Sequence, residues 1–82
     1  MSNEANQSYT GQVYDLDFVE GNDWCQALLR QSPGAENIAV VTSDIRMQSI
    51  LETAMIMSRE VYVAYKAEGP PNKLIRVKLN IG

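Results

Sequence analysis

Few residues in this chain are equipped for chemistry. It has no histidine and a single cysteine, Cys25. Neither a zinc site nor a Cys/His catalytic pair can be built from that inventory, and an internal disulfide is excluded. Acid–base work would fall to carboxylates. Asp15 and Asp17 share one face of a strand and look like a pair, but two solvated strand residues are the simpler reading. Cys25 lies among apolar neighbours and reads as a buried, inert thiol. Trp24 offers an aromatic face to a sugar or a base, yet in a strand of so small a protein a core role is expected. Asn22 and Asp23 have the polar character that hydroxyl recognition needs, although a turn uses the same residue types for its own reasons. There is no phosphate-cradling glycine motif and no metal motif. The reading is therefore of a protein that binds rather than catalyses, with no catalytic residue, metal or cofactor assigned.

The elements that must position these residues follow from periodicity. Residues 1–8, MSNEANQS, are polar and aperiodic and read as a loose tail, leaving 9–82 as one domain. From Tyr9 to Glu20 the chain alternates, with Tyr14, Leu16 and Phe18 on one face and Val13, Asp15 and Asp17 on the other. Gly21-Asn22 is a tight-turn signal. Asp23–Arg30 returns as a second strand carrying Trp24, Cys25, Leu28 and Leu29. Ser32-Pro33-Gly34 matches a type II turn, and Asn37–Thr42 is a short, strongly β-prone third strand.

Asp44–Glu60 is the one long stretch free of Pro and Gly with helical spacing. At about 100° per residue, Met47, Ile50, Leu51, Ala54, Met55, Met57 and Ser58 share a broad face. Ser43 or Asp44 can cap its start, and Asp44 suits the positive end of the dipole. The period then returns to alternation. Val61, Val63 and Tyr65 face one way in a fourth strand, and Tyr62, Ala64 and Lys66 the other. Glu68-Gly69-Pro70-Pro71-Asn72 must be a loop. Lys73–Asn80 forms the last strand, with Ile75, Val77 and Leu79 inward and Leu74, Arg76 and Lys78 outward. The order β-β-β-α-β-β is that of a β-rich α+β protein, the five-stranded OB-fold barrel with one helix between strands 3 and 4. A small α+β sandwich is the rival.

The helix also has a back. Ile45 and Ile56 lie about 180° from Met47 by the same counting, with Ser49, Glu52 and Thr53 nearby. Two isoleucines among small hydroxyl residues suit helix contact between subunits. A chain of 82 residues buries a modest core, and small domains commonly gain support by oligomerising. Homo-oligomer contacts are therefore expected along Ile45, Ser49, Glu52, Thr53 and Ile56.

Net charge is −3, which weighs against non-specific nucleic-acid binding, but the charges are segregated. Asp15, Asp17, Glu20 and Asp23 crowd the first third, while Lys66, Lys73, Arg76 and Lys78 gather near the end. Lys73, Arg76 and Lys78, with Tyr62 or Tyr65 for stacking, make single-stranded nucleic acid the alternative ligand. The N-terminal residues lack a basic region and an apolar stretch, and no run approaches a membrane span. As it stands the chain reads as cytoplasmic and not membrane-inserted, or as secreted if a leader has been removed.

Three places carry a likeness to a family. Thr10-Gly11-Gln12-Val13 opens the first strand. Met47-Gln48-Ser49-Ile50-Leu51, followed by Thr53-Ala54, lies in the helix. Val61-Tyr62-Val63 starts the next strand. Together they resemble the binding subunits of Shiga-type toxins, which have Thr-Gly-Lys-Val, Leu-Gln-Ser-Leu-Leu and Ser-Ala in corresponding places. The resemblance implies an OB-fold, a ring of five copies, a carbohydrate ligand and a larger partner subunit. It also implies sugar contacts from the acidic first turn, here Glu20, Asn22 and Asp23. The chain departs from the family in lacking its disulfide. Ile45 stands where the family has a sugar-stacking Trp, and Val41 where it has a sugar-binding Phe.

Overall fold

The structure, a computed structural model, describes residues 6–67 and 71–79. Five strands and one helix follow in the order β1 (Gln7–Phe18), β2 (Cys25–Arg30), β3 (Asn37–Thr42), α1 (Ile45–Met57), β4 (Glu60–Lys66) and β5 (Asn72–Leu79). The strands close into a barrel in the order β1-β2-β3-β5-β4. This is the five-stranded OB-fold barrel, with its helix between the third and fourth strands. Of the expected tail, residues 1–5 lie outside the described residues, whereas Gln7 and Ser8 already belong to β1, opposite Tyr65 and Ala64. Glu68, Gly69 and Pro70 of the expected loop lie outside the described residues, as does Asn80 at the end of the last strand.

β1 has two partners. Gln7–Gln12 pairs with β4, and Gln12–Phe18 pairs with β2. Gly11 sits at the crossing. A β-carbon there would stand 2.7 Å from Cε2 of Tyr9 and 2.8 Å from the backbone oxygen of Arg30. The register with β2 shifts between Val13 and Asp15. That bulge corrects the expected alternation. Val13 is buried, Leu16 packs partly against the core, Tyr14 is displaced from it, and Phe18 is 54 % exposed. An extra residue changes the facing of everything downstream. Tyr14 lies under the Arg30 guanidinium, 4.1 Å from ring centroid to Cζ, and its hydroxyl accepts a 2.6 Å hydrogen bond from Asn37 Nδ2.

A second bulge corrects β5. Its register with β4 shifts between Ala64, opposite Arg76, and Tyr65, opposite Leu74. Ile75 is squeezed out, so Leu74 is buried and Ile75 exposed, the reverse of the alternation expected at these two positions. Val77 and Leu79 remain packed against the core. Both turns form as their sequences require. The Asn22 amide donates to Val19 O at 3.0 Å with Gly21 at φ +92°, and the Ala35 amide donates to Ser32 O at 3.0 Å with Gly34 at φ +87°. A positive φ at the third turn residue defines type II.

α1 starts on Asp44, whose Oδ1 accepts from the amides of Arg46 and Met47 at 2.8 and 3.1 Å. It ends earlier than expected. Ser58 takes the left-handed conformation, and the amides of Ser58 and Arg59 return to the carbonyls of Met55 and Ala54. This is a Schellman closure with serine in the usual glycine place. Met57 and Ser58 consequently lie outside the buried face, which narrows to Leu51 and Ala54 with Met47 and Met55 beside them. These meet the barrel core of Val13, Ala27, Leu29, Val40, Val61, Val63, Tyr65 and Leu74.

Gly11→Ala is expected to destabilise the protein by about 1–3 kcal/mol, the range for forcing an atom into filled space, because the Arg30 backbone cannot withdraw. Leu51→Ala empties the seam between helix and barrel and should cost about 2–5 kcal/mol. Urea midpoints check both, and a wild-type midpoint for Gly11→Ala would contradict the close approach.

Candidate functional site

Trp24 precedes β2 and lies outside the core, 41 % exposed, which corrects the expectation that it fills the barrel. The barrel interior at this level is occupied instead by Cys25, wholly buried. Trp24 borders two grooves. One, of about 430 Å³, is lined by Trp24, Val41, Thr42, Ser43, Pro71 and Lys73. The other, of about 400 Å³, is lined by Phe18, Asn22, Asp23, Trp24, Ser43, Ile45 and Gln48. Both volumes are in the range of small-ligand sites. The two grooves share Trp24 and Ser43 and lie where the β1–β2 loop, the start of α1 and the start of β5 converge.

The rim is held by local bonds. Gln48 Nε2 donates to Asp23 O at 3.2 Å and to Thr42 O at 3.0 Å, tying the loop to the helix. The buried Thr42 hydroxyl accepts from the Asp44 amide at 3.0 Å, and Asp44 in turn caps α1. Asn72 Nδ2 donates to Ala39 O at 3.2 Å, fixing the start of β5 beside β3. Parallel pairing of Val41 with Lys73 then brings Lys73 to the groove. The side chains that remain for a ligand are an indole face, a phenyl ring, an amide, a carboxylate, a hydroxyl and the Lys73 ammonium.

The expected site residues divide. Asn22 and Asp23 line the second groove; Glu20 is exposed in the same turn and does not line it. Val41 and Ile45 each line one groove, and Trp24 borders both. Phe18, Thr42 and Gln48 carry no sequence signal that places them at a site, whereas the sequence offers Trp24 as a possible aromatic face with a core role expected, and Lys73 as a contact for nucleic acid. Trp24 is expected in the core from its place in a strand of a small barrel, and Lys73 reaches the groove through a pairing 32 residues apart in sequence.

Of the helix back, Ile45 and Ile56 are 78 % and 73 % exposed, and Ser49, Glu52 and Thr53 are exposed with them. Ile45 also borders the second groove. Tyr62 is exposed and Tyr65 buried, so only Tyr62 can offer a stacking face. Asp15 and Asp17 are exposed strand residues opposite Leu28 and Gln26. Burial raises the pKa of the Cys25 thiol, which disfavours the nucleophilic thiolate. Among the described residues no group of three or more Cys, Asp or Glu is placed to hold a metal ion, and no helix is long and apolar enough to cross a membrane.

No protein-family model matches this chain, and no curated protein is significantly similar to it. The functional reading rests on the fold and the grooves.

Trp24 is the chain's only tryptophan, so its emission reports on the grooves alone. Iodide is expected to quench it in the native protein, and Trp24→Ala to cost under about 1 kcal/mol, as surface changes do. Protection from iodide until the protein unfolds would contradict an exposed indole.

Proposed function

We propose that the protein is a non-enzymatic binding module that takes a carbohydrate in the grooves around Trp24 and assembles into a ring, a pentamer like those of Shiga-type toxin binding subunits. The observation that carries this reading is the exposed Trp24 shared by two grooves whose rims hold Asn22, Asp23, Ser43 and Gln48. An indole face suits the apolar face of a sugar ring, and short polar side chains suit its hydroxyls. The neighbourhood of the β1–β2 and β4–β5 loops is where OB-folds take oligosaccharides and oligonucleotides. Trp24 offers an aromatic surface beside the positions where Val41 and Ile45 replace the family's aromatics.

Ring assembly is supported by the exposed stripe of Ile45, Ser49, Glu52, Thr53 and Ile56. Ile45 and Ile56 lie about 16 Å apart along α1 at a rise of ~1.5 Å per residue, a span suited to another helix. Since Ile45 also borders a groove, subunit contact and ligand site adjoin. A larger partner carried on the ring completes the toxin-like reading.

A second reading, single-stranded nucleic acid, draws on Tyr62, which pairs across the sheet with Lys78 and lines a groove with Thr10, Glu60, Arg76 and Lys78. It is distinguished by affinity for oligonucleotides that falls steeply with salt.

Screening on a glycan array is expected to yield ligands whose binding Trp24→Ala and Asn22→Ala each weaken at least about tenfold, roughly 1.4 kcal/mol; undiminished binding by both variants would place the ligand elsewhere. Light scattering is expected to give a native mass near five times the 9.2 kDa of the chain. Ile56→Glu should reduce it to that of a monomer, and an unaltered assembly in that variant would remove the helix from the interface.

A further inference from the structure

The two sides of Trp24 differ in charge. The groove towards α1 carries Asp23, whereas the groove towards β5 is lined by Trp24, Val41, Thr42, Ser43, Pro71 and Lys73, with one cation and no carboxylate. Directly across the sheet from Lys73 stands Lys66. Tyr65 and Leu74, the neighbours of these lysines, point into the core, so both lysines lie on the outer face. Cross-strand partners hold their β-carbons about 4.5–5.5 Å apart, and like charges so placed repel. The only ion pair among the described residues is Arg46 with Asp44, 3.9 Å apart at the start of α1. No described carboxylate lies within ion-pair distance of Lys66 or Lys73.

Asp17, on the acidic side of the molecule, is well removed from this pair. Along the outward row across the sheet, Lys73 adjoins Val41, Val41 adjoins Gln26, and Gln26 adjoins Asp17. Three strand spacings amount to about 14 Å, beyond the Debye length of about 8–10 Å at ordinary salt. The net charge of −3 thus conceals a pair of like charges beside the groove.

We infer that the ligand of the Trp24 groove is an acidic glycan, whose carboxylate or sulfate group is held between Lys73 and Lys66 while a neighbouring sugar ring lies on Trp24. This rests on the carbohydrate reading above and narrows it. An anion placed between two ammonium groups accepts charge-assisted hydrogen bonds from both and removes their repulsion. Lys66 is half-buried and Lys73 exposed. The Thr42–Ser43 segment and Pro71 wall the groove on either side of Val41.

The test is an array of matched neutral, sialylated and sulfated glycans, followed by titration of the full chain with lactose, sialyllactose and sulfated lactose at low and high salt. The acidic sugars are expected to bind about tenfold more tightly than lactose at low salt, in line with a charged hydrogen bond, and the advantage should shrink with salt. Sialyllactose against sulfated lactose decides which acid is preferred. Lys73→Ala and Lys66→Ala should each abolish the advantage of the acidic sugars over lactose; Lys73→Arg should keep it. Trp24→Ala should weaken neutral and acidic sugars alike. Since each lysine change relieves a like-charge pair, native stability should not fall, and a melting curve verifies that the variants are folded. Equal affinity for lactose and its acidic derivatives, or an acidic preference that survives both alanine changes, would overturn the inference while sparing the carbohydrate reading. Binding of no glycan overturns both. A single-stranded oligonucleotide that binds more tightly than any acidic sugar, and loses affinity in the same lysine variants, assigns the lysine pair to nucleic acid instead.

Discussion

Everything in this barrel depends on β1 serving two partner strands. One strand pairs with β4 through its first half and with β2 through its second, with Gln12 facing both Glu60 and Arg30. Such a strand must cross from one ladder to the other at a point where three strands crowd together. Gly11 occupies that point, where Tyr9 and the Arg30 backbone leave no room for a side chain. The bulge after Val13 completes the change of direction by adding local twist. Closure leaves β3 and β5 only a short parallel contact, Val40 with Asn72 and Val41 with Lys73. Beyond that contact α1 packs on β1, β4 and β5, and Leu51 and Ala54 supply the apolar surface.

The grooves follow from the same geometry. Because closure ends in that short parallel pairing, the start of β5 is delivered beside the end of β3, and Lys73 beside Val41. Because Cys25 rather than Trp24 takes the interior position opposite Thr42, the indole is left on the surface. Gln48 then joins the Asp23 and Thr42 carbonyls, so the loop carrying Asn22 and Asp23 is fixed against the helix. A binding surface held by caps and ladders loses little entropy on meeting a ligand. The segregated charges leave Asp23 at one groove and Lys73 at the other, a difference that net charge conceals.

Local chemistry determined a large part of this protein from its sequence alone. Gly21 and Gly34 are placed where type II turns need a positive φ, Asp44 where a helix needs a cap, and Val61, Val63 and Tyr65 alternate into the core as a two-residue period requires. The order of elements, and with it the barrel, follows from these signals because each spans only a few neighbouring residues. Asn22 and Asp23 could be singled out for the same reason, as polar residues at a predictable turn. Only the tertiary structure decided the rest. The bulges near Tyr14 and at Ile75 arise from closing the barrel, not from any preference of those residues, and each reverses the facing of its neighbours. Ile75 and Leu74 therefore exchange places, and Trp24, expected in the core, stands outside because Cys25 takes the interior position. The Lys73–Val41 and Lys66–Lys73 neighbourhoods require the strands to be paired before they exist at all. A two-residue period carries no information about which strand lies alongside; that is set by how the apolar faces of all five strands and the helix can be buried together.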